Sequence, residues 1–294
     1  MRTVTIVGVG RLGGALALAL DRAGYTIDAL IYRGTPPPPQ LTRLLHHLPQ
    51  ISQLDSVAQI RSEIIFITTQ DNAIGTAASR LEKVISGSPA VFITSGAFSS
   101  SVIGNLKNVG CSIGSVHPLI SVSDPILGAD RFKGSYFCLE GEQEALETAE
   151  GVVKALKGKS FSIPADKKPL YHAAAVTSSG HLVALIDMAV GMLKKCGLAR
   201  DDAKKILLPL IESTLENVKQ QSLEGSLTGT YARGDSETFS RHLDSLQENV
   251  SRDELEIFLA LASRSIEIAR HVNNKDRSLK ELQERVLMAK RAWR

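Results

Sequence analysis

Cysteine is scarce and unpatterned: Cys111, Cys138 and Cys196 are odd in number and far apart, without metal-ligand or redox spacing. A disulfide framework and a cysteine-based metal centre are excluded, and no other metal site is expected, so a reduced, cytoplasmic setting fits best. No charged-then-apolar leader precedes Thr3, so no secretory signal is expected. The longest apolar run of the second half, residues 182–190, is broken by Asp187 and too short to span a bilayer. A large basic face is missing too. Of the formal net charge of +3, residues 275–294 carry a surplus from seven basic and three acidic side chains, leaving the remainder slightly acidic. Nucleic-acid and membrane partners are therefore not expected. No solenoid repeat is present. What remains is 43% hydrophobic and 22% charged, a globular balance in a chain long enough for two domains.

Short β-branched runs at 4–7, 27–32, 64–68, 91–94, 112–116, 136–139 and 161–163 alternate with helical stretches such as 12–23, 73–85 and 142–156. That alternation predicts β-α-β units and an α/β Rossmann domain, doubly wound and mainly parallel, over residues 1–164. Pro36 to Pro39 should shorten the third-strand unit, and Asp124 to Lys133 reads as a long loop. Beyond Pro164 the pattern turns helical, at 170–195, 200–221, 236–246, 252–271 and 278–292, with a Gly/Ser/Thr-rich break at 224–235. This predicts an all-α domain over 165–294 for substrate and dimerisation. The apolar run 206–211 and the amphipathic 255–268 exceed what one small domain must bury, which predicts a homodimer.

Residues 3–13 read TVTIVGVGRLG: a strand, then Gly8-x-Gly10-x-x-Gly13, then an Ala/Leu-rich helix headed by Arg11 and Leu12. Gly8 suits the tight turn, Gly10 the approach of a pyrophosphate, and Gly13 close helix–strand packing. The helix start directs free N–H groups at phosphate. This context, strand before and helix after, marks a dinucleotide site. The second strand ends in Tyr32-Arg33-Gly34-Thr35 without the acid that binds ribose hydroxyls, and Asp28 lies too early in the strand. Arg33 and Thr35 can hold a 2′-phosphate, with Arg11 as a second cation, so the expected cofactor is NADP.

Ligands of open α/β sheets bind at the carboxyl ends of the strands. Three polar loops lie there: Thr68-Thr69-Gln70-Asp71, Thr94-Ser95-Gly96, and Ser115-Val116-His117-Pro118. Asp71 can cap the following helix, Thr68, Thr69, Ser95 and Gly96 can line the cofactor, and His117 can donate a proton or bind a carboxylate. In the segment 171–187, Ala174, Thr177, Ser178 and His181 share a helical face, with His172 and Ser179 on the adjacent stripe. Close packing with hydroxyls bonded back to carbonyls is the bland alternative. Arg233, within Leu227 to Asp235, is an available anion partner, unless that loop is only a connector ending in a helix cap.

The ordered motifs GVGRLG, TSGA, SVHPL, YHAAAVTSSGHLVAL and TGTYARGD resemble an uncharacterised bacterial family that pairs a Rossmann-like NADP-binding domain with a helical domain of unknown function. That family is related to pyrroline-5-carboxylate reductases and β-hydroxyacid dehydrogenases. The resemblance implies a Ser/Gly substrate helix at Ser178, Ser179 and Gly180, a partner-supplied loop around Arg233, and a role for His117 like that of the His-Pro element of prephenate dehydrogenases. The chain departs from the reductases in carrying His181 where they have proline, and it lacks the catalytic lysine pattern of the dehydrogenases. The expected activity is hydride transfer between NADP(H) and a small carbonyl, imine or hydroxy acid. His117, Ser178, Ser179 and His181 are then the catalytic candidates, and His172 and Arg233 the substrate contacts. The alternatives are a deazaflavin-dependent NADP reductase and a non-catalytic NADP-binding protein.

Overall fold

The computed structural model describes residues 2–271 and 276–292. The chain divides into two compact units, residues 1–179 and 180–294. In the first, an eight-stranded sheet comprises β1 (Thr3–Val7), β2 (Thr26–Tyr32), β3 (Gln50–Gln53), β4 (Ile64–Ile67), β5 (Ala90–Ile93), β6 (Ser112–Pro118), β7 (Tyr136–Gly141) and β8 (Lys159–Ser162), in the order β3-β2-β1-β4-β5-β6-β7-β8. Every neighbouring pair is parallel except β6 and β7. The main helices of this unit are α1 (Arg11–Arg22), α2 (Ile74–Leu81), α3 (Gln143–Ala155) and α4 (Lys168–Ser178).

The central strands are buried on both faces, as parallel strands covered by crossover helices must be. Val4, Ile6, Leu30, Phe66 and Phe92 form one core with α1 and with Ala145, Ala149 and Val152 of α3. Val7, Ile31, Ile65, Ile67, Val91 and Ile93 form the other with Ile74, Ala77 and Leu81 of α2. Alternate residues of each strand thus feed opposite cores, which fixes the register and holds the strand ends level.

Several local expectations change. The unit after Pro36 is shortened, as expected, to a helix at Pro39–Arg43, yet it still supplies the strand β3, which pairs with β2. The expected loop after Asp124 folds as two short turns, Pro125–Gly128 and Ala129–Phe132, capped by the Asp124 carboxylate accepting from the Ile126 and Leu127 amides. The break at 224–235 likewise holds two short helices, Leu223–Ser226 and Gly229–Arg233. The largest difference lies in the expected helix 170–195. It stops at Ser178, because Ser179 leaves helical geometry (φ −123°, ψ −76°), and restarts at Gly180. Residues 165–179 cluster with the sheet rather than with the helical unit.

The second unit contains α5 (Gly180–Lys195), α6 (Arg200–Gln220), α7 (Ser236–Asn249), α8 (Arg252–Arg270) and α9 (Asp276–Ala292). Its core joins Phe239 and Leu246 of α7, Leu255, Leu259 and Ile266 of α8, and Leu282 and Val286 of α9. A capping box starts α8, Ser251 and Glu254 satisfying each other's backbone amides. By contrast, Val190 and Ala203 are the buried residues of α5 and α6, while Val183, Leu185, Ile206, Leu208, Leu210, Leu215 and Val218 are exposed. By length and composition alone the stretch 165–195, broken at Ser179, is long and apolar enough to cross a membrane.

Candidate active site

The turn after β1 is built as tightly as its glycines demand. Gly8 has φ +102°, and a Cβ there would lie 2.8 Å from the Thr69 amide nitrogen. A Cβ on Gly13 would lie 2.2 Å from the Gly8 carbonyl oxygen. The Thr68 hydroxyl closes the assembly by donating to that same carbonyl at 2.5 Å. Gly10 differs: a Cβ there meets nothing within 4 Å, so open space faces the start of α1. Gly10 caps α1 without a side-chain bond, leaving its first amides to a ligand. The Thr69 hydroxyl, beside the turn, is buried without a hydrogen-bond partner. Leu12 is half-buried and Arg11 exposed.

At the end of β2, Tyr32 is half-buried, and Arg33 and Thr35 are exposed. The Arg33 carbonyl accepts from Gln53 Nε2 of β3 at 3.2 Å. Asp28 is engaged elsewhere, accepting from Ser62 Oγ at 2.9 Å, in keeping with its exclusion as the ribose acid. Asp71 lies in the turn Asp71–Ala73 and makes no capping bond.

Because β1, β4, β5 and β6 are consecutive in the sheet, their carboxyl ends place the glycine turn, Thr68, Ser95 and His117 in a row about 14 Å long, three strand spacings. Ser95 Oγ accepts from the amides of Ala97 and Phe98 at 3.2 and 3.1 Å, which turns the chain sharply at Gly96. Gly96 carries no side chain for a steric reason. A Cβ there would lie 2.3 Å from His172 Nδ1 and 2.9 Å from His117 Nε2. The two imidazoles meet edge-on over this glycine, their centroids 5.6 Å apart. His172 Nδ1 is buried and unpartnered.

His117 Nδ1 lies 2.6 Å from the Tyr171 hydroxyl. Burial and the nearby Lys168 charge, with His172 contributing, push the His117 imidazole down to about 4. It is therefore neutral near pH 7, which corrects the expectation that it could bind a carboxylate as a cation. Burial pushes the Tyr171 phenol far up, and the Cys138 thiol of β7, itself pushed up by burial, stands within hydrogen-bond reach of the phenol.

Sequence reasoning missed Lys168. It is fully buried, and its Nζ donates to Ser115 Oγ at 2.7 Å and to the Ser95 carbonyl at 3.1 Å. Burial lowers its pKa, while Cys138, Glu140 and Asp71 oppose that shift. The available signal was spacing: Lys168, Tyr171 and His172 stand at i, i+3 and i+4, one face of α4.

His117, Pro118, Ile120, His172, Ser178 and Ser179 are among the residues lining a cavity of about 420 Å³. His117, His172, Ser178 and Ser179 are thus brought together as expected. The serine protons are committed, Ser178 and Ser179 donating to the Ala175 carbonyl at 3.1 and 2.7 Å. Their oxygens present lone pairs, so the bland alternative of back-bonding also holds. His181 is a correction: it is exposed on α5 in the second unit, and the break at Ser179 ends the face it was to share with Ser178. Arg233 is exposed at the end of the short helix Gly229–Arg233, before Asp235, which caps α7 by accepting from the Thr238 amide at 2.9 Å. Among the described residues no cluster could hold a metal ion.

Residues 1–118 match the Rossmann-like domain, and residues 135–265 match DUF2520, a domain of unknown function. The chain thus joins a Rossmann-like domain to a DUF2520 C-terminal domain. No curated protein matches it by sequence. Among solved structures it is similar to a proposed NADP oxidoreductase from Bacteroides fragilis, with 20% identity, TM-score 0.71, and coverage of 90% of this chain and 97% of that one. A Thermotoga maritima protein is also similar, with 24% identity, TM-score 0.67, and coverage of 91% and 98%. The pyrroline carboxylate reductase of Plasmodium falciparum, solved with NADP bound, matches at 15% identity, TM-score 0.57, and coverage of 96% and 98%. At these identities the likeness is one of fold.

Proposed function

We propose that the protein is an NADP(H)-dependent oxidoreductase that transfers hydride to or from a small carbonyl, imine or hydroxy acid. One observation carries this reading. A glycine turn with open space at Gly10 stands in the same row of strand ends as a cavity lined by two imidazoles and two serine oxygens. The chain fits the cofactor: the cradle at Gly10 is open, and the buried Thr69 hydroxyl beside it lacks a partner. Gly8, Gly10 and Gly13 would hold the pyrophosphate, and Tyr32, Arg33, Thr35 and Arg11 the adenosine end with its 2′-phosphate. Thr68, Thr69, Ser95 and Gly96 would form the wall beside the nicotinamide. The bound cofactor supplies or accepts the hydride. His117 and His172 then orient the substrate, and Ser178 and Ser179 accept hydrogen bonds from it. NADP bound to the Plasmodium reductase supports the cofactor choice.

The reading includes a cytoplasmic homodimer, with Arg233 reaching a partner's site. The exposed apolar residues of α5 and α6 support self-association over a lipid contact, because charges such as Asp187 and Arg200, paired with each other, interrupt the same surface. Calorimetric titration with NADPH, followed by NADPH oxidation across a panel of small carbonyls and imines, tests the proposal. Binding and turnover are expected. A protein that does not bind NADPH would end this reading.

A further inference from the structure

We infer that Tyr171 fixes His117 as a neutral imidazole protonated at Nε2, so that the cavity meets an N–H donor matched to a carbonyl oxygen rather than to an iminium. The use of that donor rests on the oxidoreductase reading, whereas the tautomer itself is set by the protein's own groups.

The Tyr171 hydroxyl lies 2.6 Å from His117 Nδ1, and the Cys138 thiol is within reach of the same oxygen. A phenol has one proton to donate, and an imidazole nitrogen accepts it far better than a sulfur does. The buried Cys138 thiol also interacts with the phenol, but it is the weaker acceptor of the two. Tyr171 therefore donates to Nδ1, which leaves the imidazole proton on Nε2. That nitrogen has no protein partner among the described residues and lies over Gly96 on the side where His172 joins it in the cavity wall.

The charges around the ring support the neutral form. Lys168 of α4 acts on it, buried and, among the described residues, bonded only to the neutral oxygens of Ser95 and Ser115. His172 lies edge-on to it, and Glu140 of β7 and Asp71 act on Lys168. The buried ammonium disfavours a second cation nearby, whether a protonated His117 or a cationic iminium. A carbonyl has the opposite requirement. Its oxygen has lone pairs to accept the Nε2–H, and it gains negative charge as hydride reaches the carbon, where a fixed donor and a nearby positive charge help most. An iminium nitrogen has no lone pair for that donor.

The test uses the full-length protein labelled at histidine nitrogen, with His117→Gln to assign the signals. The expected spectrum has an unprotonated Nδ1 and a pyrrole-type Nε2 that hold at every pH well above about 4. Tyr171→Phe is expected to release the lock and give mixed tautomers. Protonation at Nδ1 in the wild type, or a cationic ring near pH 6.5, would overturn the inference even if the Phe variant failed to fold. In NADPH oxidation, a small cyclic ketone should exceed the ring-matched cyclic imine at least tenfold in kcat/KM, and an imine preference overturns the substrate choice. If neither turns over, the substrate choice fails; absence of NADPH binding would end the oxidoreductase reading itself, while the nitrogen spectra of the protein alone still decide the tautomer.

Discussion

Replacing Gly10 and Gly13 by alanine, one at a time, separates folding from nucleotide binding within a single turn. The Gly13 methyl would stand 2.2 Å from the Gly8 carbonyl oxygen and 2.4 Å from Thr68 Oγ1, well inside contact distance. Relief requires α1 to back away from β1 or the Thr68–Gly8 bond to break, an overpacking cost of about 1–3 kcal/mol. At roughly 2–4 °C per kcal/mol, the melting temperature should fall by about 2–12 °C. The Gly10 methyl meets nothing within 4 Å, and its φ of −85° suits any residue. The conformational entropy that alanine removes from the unfolded chain, worth about 0.4–1 kcal/mol of stability, offsets its poorer helix capping. Gly10→Ala should therefore melt within about 2 °C of the wild type. Its methyl group nevertheless fills the space a pyrophosphate would enter, so NADPH should bind at least tenfold more weakly, about 1.4 kcal/mol. Melting without nucleotide and calorimetry with NADPH read the two effects separately. Unchanged NADPH affinity in Gly10→Ala would refute the cradle, and a melting point as low as that of Gly13→Ala would refute the open space.

NADPH should bind at least tenfold tighter than NADH, about 1.4 kcal/mol, with Arg33→Ala erasing most of the difference; equal affinities in the wild type would remove the 2′-phosphate assignment. His117 takes up its proton near 6.5 in the unfolded chain but only near about 4 when folded. Its contribution to stability is thus complete above 6.5 and declines as pH falls toward 4. The melting temperature should drop across that window, less steeply in His117→Gln, and parallel slopes would place the acid sensitivity elsewhere. Light scattering at micromolar concentration should give a dimer that a Val183→Glu, Leu210→Glu double variant dissociates, since both side chains are exposed on the single chain; a monomeric wild type defeats the self-association reading.

The parallel sheet was legible because its strands are pure β-branched runs set between helical periods, as at Ile64–Ile67 and Ala90–Ile93. β3 was not, because Gln50–Gln53 is a polar edge strand whose pairing with β2 comes from topology rather than from its own pattern. The break at Ser179 was hidden for another reason. Apolar and small residues keep helical period through Ser178, Ser179 and Gly180, so the composition reads as one continuous helix. Yet the backbone leaves helical geometry at Ser179, where the chain passes from one compact unit to the other. Periodicity reports which face a helix would bury, and it is silent on where one compact unit ends and the next begins.

The site divides along the same line. His117 could be found because strand order alone puts the end of β6 in the ligand row, and the glycine turn because its geometry is written in residues that have no side chain. Lys168 and Tyr171 could not, because their roles depend on what tertiary packing takes away from them. Lys168 follows Lys167 and precedes a proline at the start of a helix, a context that normally means solvent. Here it is sealed from water with neutral oxygens as its hydrogen-bond partners. Desolvating an ammonium without a bonded carboxylate is costly, and a methionine of similar size would avoid that cost. A fold that keeps the charge does so where positive potential beneath a ligand has a use, and after burial it is Lys168 that contributes most to lowering the His117 pKa. Tyr171 is the complement of that charge. With the imidazole held neutral, only the position of its remaining proton is left to decide, and the phenol at 2.6 Å decides it.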